Sequence, residues 1–329
     1  MNIKFYLVNI SRLLASYLSL PFVFMNKPLK KNKEIKILSD LLQYTKTNNF
    51  KNNNVSKTKT HRDFGNKLFN LIKKKKIVNF LNYYFIQKIF FVHNRFYIIL
   101  QLFSLRFSRN WKLWKELLLE NSIGKPLRFF IYPFSSGNRI RQVYHIKKFI
   151  DWSNINISNI NLVFEFGGGY GCMASIFQSI SKRVKYIIYD TREVLLLQYY
   201  YLKMNDYDVS LVSSKKNIFL ISKLFKLKNI LTKKIYKNKL LIMNWSFSET
   251  PLRSRIRIEN LMYNFDYILI SFQNKFDEIN NINYFNKLKN KLIKNKFNVK
   301  IQKIETMKFS SKVNHFYFFA INENNEKNF

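Results

Sequence analysis

The sequence predicts an α/β protein with a doubly wound, mostly parallel sheet of seven strands and an antiparallel closing strand, preceded by an α-helical N-terminal region. Three observations support this fold class. Residues 161–171 form an apolar run that leads into a glycine-rich turn. Short apolar segments then alternate with helical segments, which is typical of parallel sheets with helices on both faces. The last two apolar segments follow each other without a helix, so we expect an antiparallel pair at the end of the sheet.

The glycine turn closes the run NLVFEFGGGYG, which predicts a buried strand followed by a tight bend. It holds four of the chain's seven glycines, at positions 167, 168, 169 and 171. Glycine tolerates positive φ and lets a ligand approach the backbone closely, so we expect a ligand here. Glu165 interrupts the apolar run, and a carboxylate is costly to bury without a partner. We therefore expect Glu165 at the end of the strand, facing a bound and partly cationic small molecule.

A second predicted strand, 184–189, ends at Asp190, about 20 residues beyond the glycines. An acidic residue at this spacing lies at the tip of the strand, where it can accept two hydrogen bonds from a ribose diol. The remaining segments are strands at 208–212, 239–243, 267–272, 299–304 and 315–321, and helices at 172–181, 193–204 and 284–294. The sequence NWSFSET follows the fourth strand, and Pro251 suits the first turn of the next helix.

The first 125 residues predict a helical region, which precedes a sheet domain at 126–329. One apolar stripe at three- and four-residue spacing consists of Leu81, Phe85, Ile89 and Val92. A second stripe consists of Phe103, Phe107, Trp111, Trp114 and Leu118. Gly124 and Pro126 are expected to end the second helix. We expect both stripes to be helix faces buried in the core.

The stretch from Phe5 to Met25 is mostly apolar, but Arg12 lies within it and Pro21 near its end. A membrane-spanning helix needs about 20 apolar residues with few charges, and the uninterrupted part, 13–25, is shorter. No small-residue cleavage site follows, which argues against a secretory signal. The stretch therefore predicts an amphipathic helix that packs on the protein's own core or lies on an anionic membrane surface. The sequence leaves both alternatives open.

The composition indicates a folded chain with a full core: 329 residues, 47% hydrophobic and 17% aromatic. The formal net charge is +38, which ordinarily suggests nucleic acid or an anionic membrane as a partner. The lysines are scattered, however, and the chain is also rich in Asn, Ile, Phe and Tyr, whose codons are likewise rich in A and T. A compositionally biased genome accounts for the whole set, so we interpret most lysines as solvated and expect no nucleic-acid partner.

The cysteine and histidine residues limit the cellular compartment and the kinds of metal site that the chain can have. Cys172 is the only cysteine, so an intrachain disulfide is excluded and a reducing, cytoplasmic environment is indicated. The four histidines are isolated at positions 61, 93, 145 and 315, and no pair has the spacing of a zinc motif. We therefore expect no metal site built from histidine and cysteine.

Two cofactor classes compete for the glycine turn. Residues 169–174, GYGCMA, match the G-x-G-x-x-A form of a dinucleotide-binding turn and would suit an NAD-dependent oxidoreductase. The wider run from Glu165 to Gly171 matches E/D-x-G-x-G-x-G and resembles the signature of S-adenosylmethionine-dependent methyltransferases. In those enzymes the strand carboxylate serves the ammonium end of the cofactor, whereas it would repel a pyrophosphate. We favour the methyltransferase, because Glu165, the glycines and Asp190 are all in register.

The resemblance extends to a bacterial sugar O-methyltransferase family of class I, over roughly residues 125–325. It rests on GGGYG followed by YDTREVLLLQYYYL, on NWSFSET and on the upstream NRIRQVYHI. Thr191 and Arg192 stand where the family usually shows a proline, and Thr250 stands where methionine often follows. The resemblance implies a Rossmann-like sheet, S-adenosylmethionine as cofactor, and methylation of a sugar or glycan hydroxyl in surface-glycan biosynthesis. We expect a cytoplasmic enzyme, with contact between its N-terminal segment and the inner membrane face left open.

The site residues follow from these motifs. Cofactor binding is assigned to Glu165, Gly167, Gly169, Gly171, Asp190 and Asn244. Methyl transfer to a hydroxyl requires in-line positioning and a base that removes the proton, and the candidates for that base are His145 and Glu249. Glu249 follows the fourth strand at the carboxyl edge of the sheet, whereas histidine has the more suitable unperturbed pKa.

A function of a different class is also open: a basic module that binds RNA or membrane through its lysine-rich helical half, without catalysis. Polyanion binding falls steeply as the salt concentration rises. Cofactor binding in a cavity hardly responds to salt, so the salt dependence of binding separates the two functions.

Overall fold

The computed structural model describes residues 3–47, 59–231, 233, 235–308 and 313–323. The helices of the N-terminal part are α1 (Ile3–Ser19), α2 (Lys31–Thr47), α3 (Lys59–Lys73), α4 (Tyr84–Ile89), α5 (Tyr97–Arg106) and α6 (Trp111–Leu117). A short antiparallel hairpin of β1 (Arg128–Phe129) and β2 (Tyr132–Ser136) follows them. It leads into α7 (Gly137–Ser153), whose N-cap side chain, Ser136, accepts a hydrogen bond from the amide of Arg139.

The C-terminal part carries one large sheet and the helices that cover it. Its strands are β3 (Leu162–Phe166), β4 (Lys185–Tyr189), β5 (Val209–Ser210), β6 (Ile218–Ile221), β7 (Lys239–Asn244), β8 (Tyr267–Gln273), β11 (Phe297–Lys303) and β12 (His315–Asn322). Its helices are α8 (Cys172–Ile180), α9 (Arg192–Met204), α10 (Phe225–Leu231), α11 (Leu252–Met262) and α12 (Asn281–Lys294). Two further short strands, β9 (Lys275–Phe276) and β10 (Ile279–Asn280), form a separate hairpin.

The strand order in the sheet is β11-β12-β8-β7-β3-β4-β6-β5. Neighbouring strands from β8 to β5 pair in parallel, and β12 is antiparallel to both β8 and β11. From β3 the chain builds outward on one side through β4 and β6, and then on the other side through β7 and β8. The predicted fold class, a doubly wound and mostly parallel sheet with an antiparallel closing strand, is thereby confirmed. In the described part of the chain, the sheet has eight strands instead of the predicted seven. Open sheets of this kind bind ligands at the carboxyl ends of the strands, beside the point where the order reverses.

The sheet is covered on both faces, which is why its inner strands are almost wholly apolar. Consecutive residues of β3 enter different cores: Val163 belongs to one cluster of buried side chains and Phe164 to the other. The first cluster joins α7, α8 and α9 to the sheet, and the second joins α10, α11 and α12. Each parallel strand is therefore held between two layers of helices.

The N-terminal helices extend the first of these two cores. Leu41 of α2 and Leu68 of α3 are fully buried in the same cluster as Leu197 of α9. At Gly65 of α3, an added β-carbon would lie 3.3 Å from the side chain of Glu193 on α9, so these two helices approach closely. The N-terminal part is helical, as predicted, and it shares a core with the sheet. The division into two domains at residue 125 stays a prediction.

One inner strand of the sheet is not predicted by the sequence. The expected third strand, 208–212, contributes only the two-residue edge strand β5, and β6 takes the position beside β4. All four residues of β6 are buried. A run of four apolar residues that is covered on both faces lacks the alternation that marks a half-exposed strand. Its periodicity therefore does not distinguish a short strand from a buried helix segment.

Both apolar stripes of the N-terminal part are interrupted, which corrects the two continuous helices that we expected. The first stripe is divided between a 3-10 turn and α4, after which Phe91 adopts a φ of +52°. The second is divided between α5 and α6, with Ser108 and Asn110 in the break, residue types that favour turns over helix interiors. The two halves no longer share a face, and Phe103 and Phe107, expected in the core, are exposed.

Because the helices and the sheet share a core, a cavity made in α3 should destabilise the whole chain. We expect Leu68→Ala to lower the free energy of unfolding by about 2–5 kcal/mol, in a single urea transition. Leu119→Ala, at an exposed leucine, is the matched control and should change the free energy of unfolding by less than about 0.5 kcal/mol. Two separate urea transitions, with only one of them shifted by Leu68→Ala, would contradict a shared core.

Candidate active site

The glycine turn joins β3 to α8 at the carboxyl edge of the sheet. Gly167, Gly169 and Gly171 have φ values of +74°, +56° and +99°, a region that other residues rarely adopt. A β-carbon at Gly167 would lie 2.3 Å from that of Ser246, so the loop after β7 closes tightly on the turn. At Gly169 the nearest atom to such a β-carbon is a ring carbon of Phe90 at 3.8 Å. The backbone of Gly169 therefore leaves room for a ligand.

Glu165 lies on β3, two residues before the first glycine of the turn, and its side chain is buried. Its Oε2 accepts a hydrogen bond of 2.8 Å from the hydroxyl of Tyr186 on the neighbouring strand β4. Burial raises the pKa of Glu165 to about 8, and the hydrogen bond from Tyr186 opposes that rise. The residue contributes to the lining of a cavity beside the turn. Its partner within the chain is a tyrosine rather than a cation.

Asp190 follows β4 directly and lies in the same lining. Its Oδ1 accepts a hydrogen bond from the amide of Thr191 at 2.8 Å, and its Oδ2 accepts one from Nε2 of Gln198 at 2.9 Å. Gln198 also donates to the carbonyl of Gly169 at 3.0 Å, so one buried side chain ties the carboxyl group to the glycine turn. Burial raises the pKa of Asp190 to about 7. The amide of Gly168 is a third donor to this carboxyl group. A carboxylate has about four acceptor positions, which leaves about one for a ligand.

The cavity at this edge of the sheet has a volume of about 700 Å³, within the range of small-molecule sites. The glycine turn, Glu165 and Asp190 form its wall at the carboxyl ends of β3 and β4. Phe64 of α3 and Phe90, just after α4, contribute to the lining from the N-terminal part of the chain. That part is therefore a component of the site as well as of the core.

The segment after β7 supplies a further part of the lining. The side chain of Asn244 donates to Oε1 of Gln142 at 3.4 Å and accepts a hydrogen bond from the hydroxyl of Ser271 at 2.9 Å. Trp245 then adopts a φ of +60°, and its amide donates to the carbonyl of Ser271 at 2.7 Å. Asn244 lies in the cavity lining together with Glu165 and the glycine turn. Its role as a cofactor-binding group stays a prediction.

Glu249 also lines the cavity, on the loop between β7 and α11. Its Oε1 accepts a hydrogen bond of 3.4 Å from Nε2 of Gln273, and burial raises its pKa to about 7. Buried Arg255 fixes the loop, because its guanidinium donates to the carbonyls of Ser248 and Thr250 at 2.6 and 2.8 Å. A carboxyl group that titrates near neutral pH can exchange a proton with a bound molecule.

His145 does not join this group. Its side chain is fully buried and does not line the cavity. Its Nδ1 lies 2.6 Å from the hydroxyl of Tyr317, and its ring packs edge-to-face against Trp245. Burial, with Arg141 nearby, lowers the pKa of His145 well below its usual value. The expectation that His145 is a base is therefore corrected: α7 reaches the cavity with its first two turns, and His145 lies one turn further, in the core.

The first turns of α7 supply two polar groups that the motifs did not assign, Asn138 and Arg141. A terminal nitrogen of Arg141 donates to Oδ1 of Asn138 at 2.8 Å, and the guanidinium lies over the ring of Trp245 at 5.4 Å. Within the part of the chain that the structure describes, Nε of Arg141 has no hydrogen-bond partner, although the side chain is buried. A buried donor without a partner is costly, while other atoms of the side chain line the cavity and bring a positive charge to it. In the sequence, the three-residue spacing of Asn138 and Arg141 on one predicted helix was the signal that could have identified them as neighbours.

Asn94 fixes the position at which α7 begins. Its Oδ1 accepts a hydrogen bond of 3.0 Å from the amide of Gly137. Its Nδ2 donates to the carbonyl of Arg128 in the hairpin at 2.9 Å and to the hydroxyl of Ser19, at the end of α1, at 2.8 Å. A β-carbon at Gly137 would lie 2.5 Å from Oδ1 of Asn94, so glycine is required there.

The charges around the cavity have both signs. Carboxyl groups come from Glu165, Asp190, Glu193 and Glu249. Cations come from Arg141, which is buried, and from less buried side chains, Arg192, Lys223, Arg253 and Arg257. Over the described ranges, no group of three or more His, Cys, Asp or Glu side chains could hold a metal ion. The arrangement suits an organic ligand that carries a cationic group and separate acceptor groups.

Comparison with known proteins finds likeness at the level of solved structures. No model of a known protein family matches the chain, and no curated protein sequence matches it. A SAM-dependent methyltransferase from Aquifex aeolicus is 12% identical, covers 54% of this chain and 87% of its own, and has a TM-score of 0.36. The methyltransferase domain of bacterial CtHen1 is 13% identical, covers 54% of this chain and 96% of its own, and has a TM-score of 0.37.

A third structure, described as residues 961–1257 of StiE O-MT, is 10% identical, covers 57% of this chain and 76% of its own, and has a TM-score of 0.39. Likenesses at these identities and TM-scores carry no functional argument.

The raised pKa of Glu165 predicts a pH dependence of stability. Its folded pKa of about 8 lies above the ordinary 4.5, so folding favours the protonated carboxyl and the free energy of unfolding falls as the pH rises between these values. The side chain introduced by Glu165→Gln carries no charge at any pH. The variant therefore lacks this fall in the free energy of unfolding. Relative to the wild type, we expect the variant to gain stability between about pH 5 and about pH 8.5, as measured by urea denaturation. A stability difference that is the same at both pH values would contradict this buried environment.

Proposed function

We propose that the chain is an S-adenosylmethionine-dependent methyltransferase that methylates a hydroxyl of a sugar or glycan. The observation that carries the proposal is the placement of two carboxyl groups, Glu165 and Asp190, on adjacent parallel strands beside a bare glycine turn. They share a cavity where the strand order reverses, which is where open α/β sheets bind ligands. We propose that the enzyme works in the cytoplasm, in the biosynthesis of surface glycans.

The residues of the cavity fit this cofactor. Gly169 offers bare backbone, and Asp190 keeps an acceptor position for a ribose hydroxyl. Glu165 would meet the cationic methionyl end, and a cation beside it would lower its pKa and favour the ionised form. Gly167 and Gly171 give the turn its shape, and Asn244 belongs to the adjoining wall. When bound, the cofactor supplies an electrophilic methyl group on a sulfonium sulfur.

A dinucleotide fits the same cavity less well. Its pyrophosphate would lie over the glycine turn, beside the carboxyl groups of Glu165 and Asp190. The pKa values of Glu165 and Asp190 are raised to about 8 and about 7, so each group becomes more fully ionised beside a cation and less so beside an anion. These two side chains therefore attract a cationic group and offer a pyrophosphate no attraction, although Arg192 and Lys223 also line the cavity.

Glu249 is the proposed general base. It lies in the cavity lining, and its pKa of about 7 lets it accept a proton from an acceptor hydroxyl at neutral pH. Arg255 holds the loop that carries it, which limits the motion of the carboxyl group. His145, buried behind Trp245, is not available for this role.

The choice of a sugar as the methyl acceptor goes beyond the general reaction. It is supported by the resemblance of the motifs and by the side chains at the start of α7. The amides of Asn138 and Gln142 and the guanidinium of Arg141 line the cavity beside the ring of Trp245. Amide and guanidinium groups can donate to hydroxyl oxygens, and the amides can also accept from hydroxyl groups.

Cofactor binding can be tested by calorimetry with the demethylated product, S-adenosylhomocysteine. Gly169→Ala adds a methyl group that meets no atom closer than 3.8 Å, so it should fold, with a cost of about 1–2 kcal/mol from the left-handed φ. The same methyl group fills the space needed by the ligand, and we expect the affinity to fall at least about tenfold. Asp190→Asn removes the charge beside the ribose and should weaken binding similarly.

Asp208→Asn, at a carboxylate outside the cavity lining, is the matched control and should bind like the wild type. The affinity of the wild type should hardly change with salt, unlike that of a polyanion-binding module. Unchanged affinity in both Gly169→Ala and Asp190→Asn would refute the assignment of the site.

Proton transfer to Glu249 can be tested through the pH dependence of methyl transfer. With radiolabelled S-adenosylmethionine and a panel of nucleotide sugars, kcat should rise with pH through about 7, as Glu249 ionises. Glu249→Gln should lower kcat by about 10²- to 10⁴-fold and abolish this rise. Glu116→Gln, at an exposed glutamate, should behave as the wild type. A Glu249→Gln variant with wild-type kcat would exclude Glu249 as the base.

A further inference from the structure

Helix α1 presents its apolar stripe to the solvent. Five residues at three- and four-residue spacing are exposed: Ile10, Leu13, Leu14, Tyr17 and Leu18. The exposed fractions reach 62% at Leu13 and 72% at Tyr17. An ordinary surface helix turns such a stripe toward the core. On α1 the usual arrangement is reversed.

The opposite face of α1 packs on the protein through small side chains. Ala15 and Ser19 are fully buried. The hydroxyl of Ser19 donates to the carbonyl of Ala15 at 2.7 Å and accepts a hydrogen bond of 2.8 Å from Asn94. The orientation of the helix is therefore set by specific contacts on its small-residue face, which leaves the large apolar side chains outside.

The exposed apolar surface continues past the end of α1. A 3-10 turn at Leu20–Met25 follows directly, and no residue of this turn is buried. Leu20 and Val23 are exposed, and Phe24 is 81% exposed. Contiguous apolar patches of this kind mark surfaces that bind another apolar phase.

The charged residues in this part of the sequence are all positive. The sequence from residue 3 to residue 33 contains no Asp or Glu. Lys27, Lys30 and Lys31 follow the 3-10 turn and are exposed. An apolar stripe bordered by lysines, with aromatic residues at Tyr17 and Phe24, complements a surface with an apolar interior and anionic headgroups.

The longer segments outside the described residues are poor in large apolar side chains. Residues 48–58, NNFKNNNVSKT, contain two, and residues 309–312, FSSK, and 324–329, NNEKNF, contain one each. These are fewer than the eight exposed apolar residues of α1 and the 3-10 turn. Their composition favours an occupant from outside the chain.

We propose that α1 and the turn at 20–25 dock on the surface of an anionic lipid bilayer. The helix lies in the plane of the interface, with Leu13 and Tyr17 among the acyl chains and Lys27 and its neighbours at the headgroups. It does not cross the bilayer: in the described part of the chain, every helix falls short of the length or hydropathy needed to span one. This proposal is independent of the reaction that the cavity performs.

The test is vesicle co-sedimentation of the full chain. We expect binding to phosphatidylcholine vesicles that contain about a third of phosphatidylglycerol, weaker binding to pure phosphatidylcholine, and a decrease with salt. Leu13→Gln/Tyr17→Gln should lower the partition coefficient at least about tenfold, because two apolar side chains no longer enter the acyl region. The triple change of Lys27, Lys30 and Lys31 to Gln should remove most of the dependence on phosphatidylglycerol and on salt.

A matched control substitutes two exposed apolar residues elsewhere, Val212→Gln/Ile293→Gln, and should bind vesicles like the wild type. The affinity for S-adenosylhomocysteine and the melting temperature report folding, and neither should change in Leu13→Gln/Tyr17→Gln. Wild-type partitioning of that variant would overturn the proposal. So would a concentration-dependent dimer in sedimentation velocity that the same substitutions abolish, because the stripe would then be an interface between two copies.

Discussion

A carboxyl group held at the edge of a parallel sheet is the constraint on which the site depends. Glu165 is fixed by the hydroxyl of Tyr186 on the next strand. A β-carbon at Gly168 would come within 2.9 Å of the same carboxyl oxygen, so the acid and the bare turn require each other. Asp190 is held in a comparable way by Gln198, which also binds the carbonyl of Gly169. The polar side chains of the cavity are thus held in position by the strands and by α9.

The loop that carries Glu249 depends on a second buried charge. Arg255 is fully buried, with its guanidinium near the rings of Phe247 and Tyr284. Burying a cation is costly unless its donors are satisfied. Arg255 meets that requirement by donating to loop carbonyls and to Oδ1 of Asn281 on α12. An irregular segment is thereby given a fixed shape, which a catalytic carboxyl group requires.

Local patterns were sufficient to predict the sheet, the glycine turn and the approach of Glu165, Asp190, Asn244 and Glu249 to one cavity. Each lies at or just beyond the carboxyl end of a strand, so topology alone brings them together. His145 could not be placed, because helical spacing gives a face and not the depth at which a helix enters the core. The wall formed by Phe64 and Phe90 depends on long-range packing, which no local pattern encodes. The outward stripe of α1 follows from Ser19 and Asn94, residues 75 positions apart.

Asn94 links α1, on the outside of the molecule, to α7, which lines the cavity. Through Ser19 it holds the last turn of α1, and through the amide of Gly137 it holds the first turn of α7, which carries Asn138 and Arg141. The side-chain amide of Asn94 therefore belongs both to the packing of α1 and to the support of the cavity wall. If α1 and the start of α7 move together, a ligand in the cavity and a partner of α1 must change each other's affinity by the same factor.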